Sequence, residues 1–363
     1  MSAHSPVDFL REAVAIDSSA DVEDMRAFLR DTLGAAGFDS SVSSGAVYAH
    51  RGAADATTHL LLNTHLDTVP PHIPPRWDPQ TQTLHGRGSA DAKGPLAAMV
   101  GAFTTAEVPA DVRLSLVVTT DEELDSTDAA AVDLDQTMTI VGEPTDLSLA
   151  PAAKGRFVAT VQLAGQAGHA ATPAECVNPI ESVGPAVTAI HTMDADAQAD
   201  PLLGPPIATV TQVDAGAAVN QIPETVELTV DRRSIPPETA VDFEQRLQQT
   251  VAAAVPDPVA VTTTLAERST PFLTAFHTPT SSRLVTQLRA AVAAAGVDPS
   301  ITAFPAATEA SYFADAPVVV FGPGRLADEE GPVAHAAREY VETAAVETAA
   351  RALRMMIESL GGG

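Results

Sequence analysis

HLLLNTHLDTVP (residues 59–70) is a short apolar run that turns polar at its end, where His65 and Asp67 stand two positions apart. A run of this length bounded by polar residues reads as a strand buried on both faces. Side chains two apart on a strand share a face, so the histidine and the carboxylate point the same way where the strand stops. The arrangement recurs twice. VRLSLVVTT (112–120) runs into Glu122 and Glu123, and TMTIVG (137–142) runs into Glu143. Helical patterns lie between the strands. Val22, Met25, Leu29 and Leu33 recur at helical spacing over 22–36, closed by Gly37. DAKGPLAAMVGAFTTA (91–106) opens with Asp91 and carries Pro95 in its first turn, where proline is tolerated. Strands alternating with helices predict an α/β fold, a mostly parallel sheet with helices on both faces. Sheets of this kind place their sites at the carboxyl ends of strands, where His65, Asp67, Glu122, Glu123 and Glu143 fall.

The pattern changes near residue 154. RFVATVQLAG (156–165) reads as a strand, 177–193 as a helix, and ATVTQVDAG (208–216) and TVELTVDRR (225–233) as two strands. A helix over 238–254 and a strand at VAVTTTLAE (259–267) complete a βαββαβ order, a self-contained α+β unit. Beyond it, 279–295 reads as a helix, APVVVFGPG (316–324) as a buried strand and turn, and 338–360 as a long helix with His335 directly ahead of it. The organisation expected is one catalytic domain, 1–153 and 271–363, interrupted by an inserted domain, 154–270.

Composition narrows the function classes. Asp plus Glu number 47 against 20 Lys plus Arg, for a net charge of −27, and the only lysines are Lys93 and Lys154. Such a field repels nucleic acid and anionic membranes, so neither is expected as a partner. An acidic, lysine-poor surface reads as adaptation to concentrated salt, where counter-ions screen self-repulsion. No apolar run approaches the ~20 residues of a membrane span, and the N-terminal stretch lacks a secretory pattern, so a cytoplasmic protein is expected. A single cysteine, Cys176, forbids an intrachain disulfide and any thiolate metal cluster.

His65, Asp91, Glu123, Glu143 and His335 form the candidate metal set. Two histidines and three carboxylates suit two divalent cations sharing one carboxylate. Asp91, at the start of a helix, can offer one oxygen to each ion, although a lone Asp there is more often a plain cap. Adjacent side chains diverge, so Glu123 is assigned to metal and Glu122 to accepting a proton from water. Asp67 is placed to orient His65. In the inserted unit, His169 sits in the Gly-flanked loop AGQAGHAATP, able to donate to an oxyanion, and VNQIPETVELTVDRRS holds Asn220 and Arg233. Arginine is the usual clamp for a substrate carboxylate, while pairing with Asp231 is the plainer reading.

Taken in order, THLDTVP, GRGSADAKG, TTDEEL, VGEPT, AGHAATP, VNQIPETVELTVDRR and GPG followed by AHAARE resemble the M20 metallopeptidases, the group of acetylornithine deacetylase, succinyl-diaminopimelate desuccinylase and carboxypeptidase G2. The resemblance runs from about residue 5 to 355. It implies that His65, Asp91 and Glu143 hold one metal and Asp91, Glu123 and His335 the other, with Glu122 as base beside Asp67. It implies zinc, with cobalt or manganese possible, and a non-proline cis peptide after Asp91. His169 would stabilise the tetrahedral intermediate, often from the partner subunit of a homodimer built through the inserted lid, and Asn220 and Arg233 would hold substrate.

VGEPTDLSLAPAAKGRF (141–157) and ATEASYF (307–313) resemble the acetylornithine deacetylase branch, which adds Thr308 and Glu309 as substrate-binding candidates. Arg338 stands where an acidic residue usually precedes Glu339, and DRRS follows the usual Asp-x-Arg-x-Leu run only loosely, which leaves substrate choice open. The expected activity is removal of an N-acyl group from an amino acid, N-acetylornithine first. A succinyl-diaminopimelate desuccinylase, a dipeptidase or aminopeptidase, and a non-catalytic binding member stand as alternatives.

Overall fold

The computed structural model describes residues 5–361; positions 1–4 and 362–363, at the ends of the expected catalytic segments, lie outside the described residues. The chain forms two compact units. The first comprises the residues up to Ala152, Thr278–Phe304 and those from Thr308 on; the second comprises Ala153–His277 with Pro305–Ala307.

In the first unit Thr58–His65 is buried at all eight positions. It pairs in parallel with Val112–Thr119 on one side and Met138–Val141 on the other, and Val318–Val320 adds a fourth parallel strand beside Met138–Val141. The apolar runs of these strands are continuous because helices cover both faces. The sheet is mixed at its margins, where Ala46–Arg51 and Leu149–Ala153 join antiparallel. The helix Lys93–Thr105 packs against Thr343–Glu358 and Pro6–Ala15, and its residues 93–103 are buried all round. Met25, Leu29 and Leu33, fully buried in Glu23–Ala35, confirm that helix's spacing.

Several boundaries differ from the sequence reading, and the helix read over 279–295 is Arg283–Ala294. The last helix begins at Thr343, not 338, because Tyr340–Glu342 pairs as a strand with Thr83–His85. Asp91 does not cap the helix of Lys93–Thr105; Ala92 occupies the cap without a side-chain bond, which frees the carboxylate. The span 177–193 divides into a 3₁₀ turn, Pro179–Ser182, and a helix, Val183–Thr192.

The second unit is a four-stranded antiparallel sheet in the order Ile207–Ala215, Thr225–Ser234, Gly155–Ala164, Ala260–Leu265. Alternate residues face inward, so Phe157, Val161, Val226 and Val230 meet Phe243, Leu247 and Ile190 of the helices on one face. Residues 271–277, expected in the catalytic domain, belong here. The Arg156 amide donates to the Leu273 carbonyl at 2.8 Å, and Phe272 packs edge-on to Phe157 with centroids 5.8 Å apart.

Arg232 breaks the inward pattern. It is 1% exposed, forks onto Glu238 (Nε to Oε2 2.8 Å, Nη2 to Oε1 2.7 Å) and pairs with Asp194. Removing one member of a buried ion network strands the others without a counter-charge. Arg232→Ala is therefore expected to lower stability by about 3–5 kcal/mol in urea denaturation, with a change under ~1 kcal/mol refuting the pairing as a structural element.

Candidate metal centre

The strand ends bring the candidate ligands together. His65 closes its strand with Nδ1 3.1 Å from the Asp67 carbonyl oxygen and 3.2 Å from Asp67 Oδ1. Both partners are acceptors, so Nδ1 carries the proton and the Nε2 lone pair is free to bind a cation. Asp67 also accepts the amides of Glu122 (3.3 Å) and Glu123 (3.0 Å), so one buried carboxylate fixes the histidine and the glutamate turn together.

Asp91 stands in the middle. Its Oδ1 lies 3.3 Å from His65 Nε2 and its Oδ2 lies 3.2 Å from His335 Nε2, so each carboxylate oxygen faces a different histidine. The peptide bond from Asp91 to Ala92 is cis. Glu143, 5% exposed and just past its strand, accepts from Thr308 Oγ1 at 3.1 Å. His335 Nε2 also lies 3.0 Å from Glu123 Oε1. Two trios result, His65–Asp91–Glu143 and Asp91–Glu123–His335, each with ligand atoms within 4.8 Å of one another.

The trios are unequal. His65, Asp91 and Glu143 are all buried, whereas the His335 side chain is 51% exposed and its backbone holds a φ of 62°. A non-glycine residue is rarely found in that left-handed region, and such strain persists only where the surroundings impose it.

Thr308 and Glu309, expected at the substrate, are 0% and 1% exposed. Thr308 holds Glu143, and Glu309 accepts from Thr119 Oγ1 at 2.8 Å. Both lie behind the ligands.

The donor set fits two divalent cations. Burial pushes Glu143 and Glu122 well above the usual carboxylate range, with neighbouring carboxylates adding to it, and pushes Glu309 up to about 8. Burial works against a charge on His65, but Asp67 and Asp91 override it and raise its pKa. The side-chain hydrogen bonds of Asp91 and Glu123 raise His335 to about 10. Burial disfavours the Asp91 anion, yet the bonds from His335 and His65 hold it below its ordinary value. A site that retains this many protons when left to itself is one that positive charge would complete.

That has a testable consequence for the metal-free protein. Raised carboxyl and imidazole values mean more protons bound when folded, so stability falls as pH rises from the unfolded values near 4.5 and 6.5 toward about 8. The depressed value of Asp91 acts the other way, but only on acidification through its ordinary value of 3.8. Chelated protein is expected to melt at a lower temperature at pH 8 than at pH 5.5, and added zinc to reverse the order. A chelated Tm independent of pH would remove this electrostatic account.

The second unit carries the remaining candidates. His169 Nδ1 accepts the Ala171 amide at 3.1 Å, which puts its proton on Nε2. Its strand pair with Gln221 sets it beside the segment of Asn220, whose carbonyl accepts the Ala170 amide at 3.0 Å. Arg233 Nε donates to Asp231 Oδ1 at 2.7 Å while its side chain stays 36% exposed, so the ion pair occupies one edge of the guanidinium.

Arg87 and Glu339 carry structure that the sequence reading did not assign. Glu339 Oε1 accepts the amides of Ala90 and Asp91, both at 3.1 Å, and Oε2 takes Arg87 Nη1 at 2.6 Å. The sole signal in the sequence is an arginine inside the glycine-rich turn GRGSADAKG.

The profile of Peptidase family M20/M25/M40 matches residues 61–359. The chain belongs to this family. It is 29% identical to an acetylornithine deacetylase of Proteus mirabilis over 84% of this chain and 80% of that protein. It is 36% identical to a [LysW]-lysine hydrolase of Deinococcus radiodurans over 47% and 48% of the two chains, so that match spans about half the relative's length. A Peptidase M20 domain-containing protein of Schizosaccharomyces pombe is likewise matched over 44% of its length. A tripeptidase from Staphylococcus aureus superposes with a TM-score of 0.78 at 18% identity, covering 99% of this chain and 98% of that one. A Bacillus subtilis protein described as a dinuclear metal-binding M20 peptidase gives a TM-score of 0.70 at 12% identity, covering 97% of this chain and 96% of that one.

Proposed function

We propose that this M20 chain removes the N-acetyl group from an amino acid, with N-acetylornithine as the first substrate to try. The observation that carries the reading is the shared Asp91, one oxygen toward each trio, with Glu122 beside it. Two divalent ions, zinc first and cobalt or manganese as alternatives, would be held by His65, Asp91 and Glu143 and by Asp91, Glu123 and His335. When bound they supply Lewis acidity that activates water and polarises the amide carbonyl.

The chain's own residues do the rest. Glu122, kept basic enough by burial, takes the proton from water and returns it to the departing amine. His169 offers Nε2–H to the oxyanion, and Asn220 and the free edge of Arg233 bind the substrate carboxylate. Thr308 supports Glu143 from behind, and Glu309 accepts from Thr119 at the end of its strand. The inserted segment Ala153–His277 would serve as lid and homodimer contact.

Acetyl is favoured over succinyl by the cavity of about 240 Å³ bordered by Asp67 and Glu123. Ser18, Val22, Thr68, Val69 and Leu124 line it, with Asp21 at its edge, and no lysine, arginine or histidine lines it. A second carboxylate on the acyl arm would find acidic surroundings there. The acidic composition suits a cytoplasm rich in salt, and an acyl-amino-acid substrate suits amino-acid biosynthesis. No helix among the described residues is long and apolar enough to cross a membrane.

Amine release in molar KCl with added zinc or cobalt tests this, with N-acetylornithine and N-succinyl-diaminopimelate compared directly. Preference for the acetyl substrate supports the reading. Preference for the succinyl substrate, or turnover of dipeptides alone, replaces it.

A further inference from the structure

We infer that Arg87 and Glu339 are positioning residues that build the more exposed of the two metal positions before any metal arrives. The inference rests on the two-metal reading. Both side chains are buried, Arg87 2% and Glu339 1% exposed, and they meet at 2.6 Å. A buried ion pair in itself adds little to stability, so its value lies in what its ends hold.

The other side-chain hydrogen bonds of the pair end on the backbone of a ligand or of its chain neighbour. Glu339 Oε1 gathers the amides of Ala90 and Asp91, and Arg87 donates to the carbonyls of His335 (Nη2, 3.2 Å) and Ala336 (Nη1, 3.3 Å). Two amides need an acceptor and two carbonyls need a donor, which an apolar pair cannot supply. The pair thus ties the Asp91 turn to a loop some 248 positions away.

The two trios depend on it differently. His65 and Glu143 sit at the ends of adjacent parallel strands, so the sheet's own ladder fixes their spacing. His335 has no strand beneath it, is half exposed and holds a left-handed φ. Of the three arms of its trio, two, Asp91 and His335, are set by the Arg87–Glu339 pair. Partners of this kind contribute roughly 10–100-fold to metal affinity.

The experiment is a cobalt titration of chelated protein, followed by visible absorption, for wild type, Glu339→Gln and Arg87→Lys. Each variant stays close to the native side-chain volume while weakening the Arg87–Glu339 contact. The equivalent at Asp91, Glu123 and His335, two of whose arms the pair sets, is expected to weaken by about 10–100-fold, and the other, which shares only Asp91 with it, by clearly less. In a His335→Ala background, which retains only the buried trio, Glu339→Gln should change affinity by less than it changes the weaker equivalent of the wild type, because that trio depends on the pair through Asp91 alone. Equal weakening of both equivalents, or of neither, overturns the inference and leaves the two-metal reading intact. Wild type binding fewer than two equivalents overturns both.

Hydrogen exchange of metal-free wild type is an independent readout that needs no variant. The amides of Ala90 and Asp91 should be protected before metal is added. Rapid exchange that slows only on metal binding would show that the metal, not Glu339, orders this turn.

Discussion

Glu122→Gln is expected to bind two metals as the wild type does and to lose turnover by about 10²–10⁴-fold, the usual contribution of a positioned acid–base group. The substitution is nearly isosteric and removes only the ability to take a proton. Glu122 belongs to neither ligand trio, while its amide is anchored on Asp67 Oδ1 at 3.3 Å. Its carboxyl is held well above the ordinary range, chiefly by burial, the direction that makes a glutamate a better proton acceptor. Glu122 is in neither ligand trio, so metal affinity should change little. The check is steady-state amine release together with metal content by emission spectroscopy. Turnover within tenfold of wild type would take Glu122 out of the chemistry, and loss of metal would reassign it as a ligand.

Asp91→Asn is expected to have the broadest effect, because one side chain serves both trios. The amide can keep the shape but offers one neutral oxygen where the carboxylate offers two charged ones. Affinity should therefore fall at both positions by more than the roughly 10–100-fold attached to residues behind a ligand. His335→Ala should affect one position only. The contrast is measurable as thermal stabilisation: a site filled at 100 times its Kd contributes about 2.7 kcal/mol, so wild type gains two such increments, His335→Ala one and Asp91→Asn neither. A full two-site shift in Asp91→Asn would mean that Asp91 does not bridge.

The legibility of this chain in sequence follows from how local each feature is. Thr58–His65 and Val112–Thr119 announce themselves because burial on both faces demands unbroken apolar runs, and their polar ends mark the site without reference to distant residues. The inserted unit is readable from Gly155–Ala164 and Thr225–Ser234, whose burial alternates as a one-sided sheet requires. Features that depend on distant partners were hidden. Glu339 is one acidic residue among many until the fold brings the Ala90 and Asp91 amides to it. Residues 338–342 carry a pattern compatible with helix, and only pairing with Thr83–His85 makes Tyr340–Glu342 a strand. Arg232 faces inward and Arg233 outward, a difference of one residue in the pleat that the stretch DRRS does not announce.

The most direct test of the two-metal account is anomalous diffraction from crystals of the zinc- or cobalt-loaded protein at the metal edge. The account requires two peaks, about 3.5–4 Å apart, with Asp91 between them, His65 and Glu143 on one and Glu123 and His335 on the other. A single peak, or two peaks with Asp91 bound to only one, would contradict it.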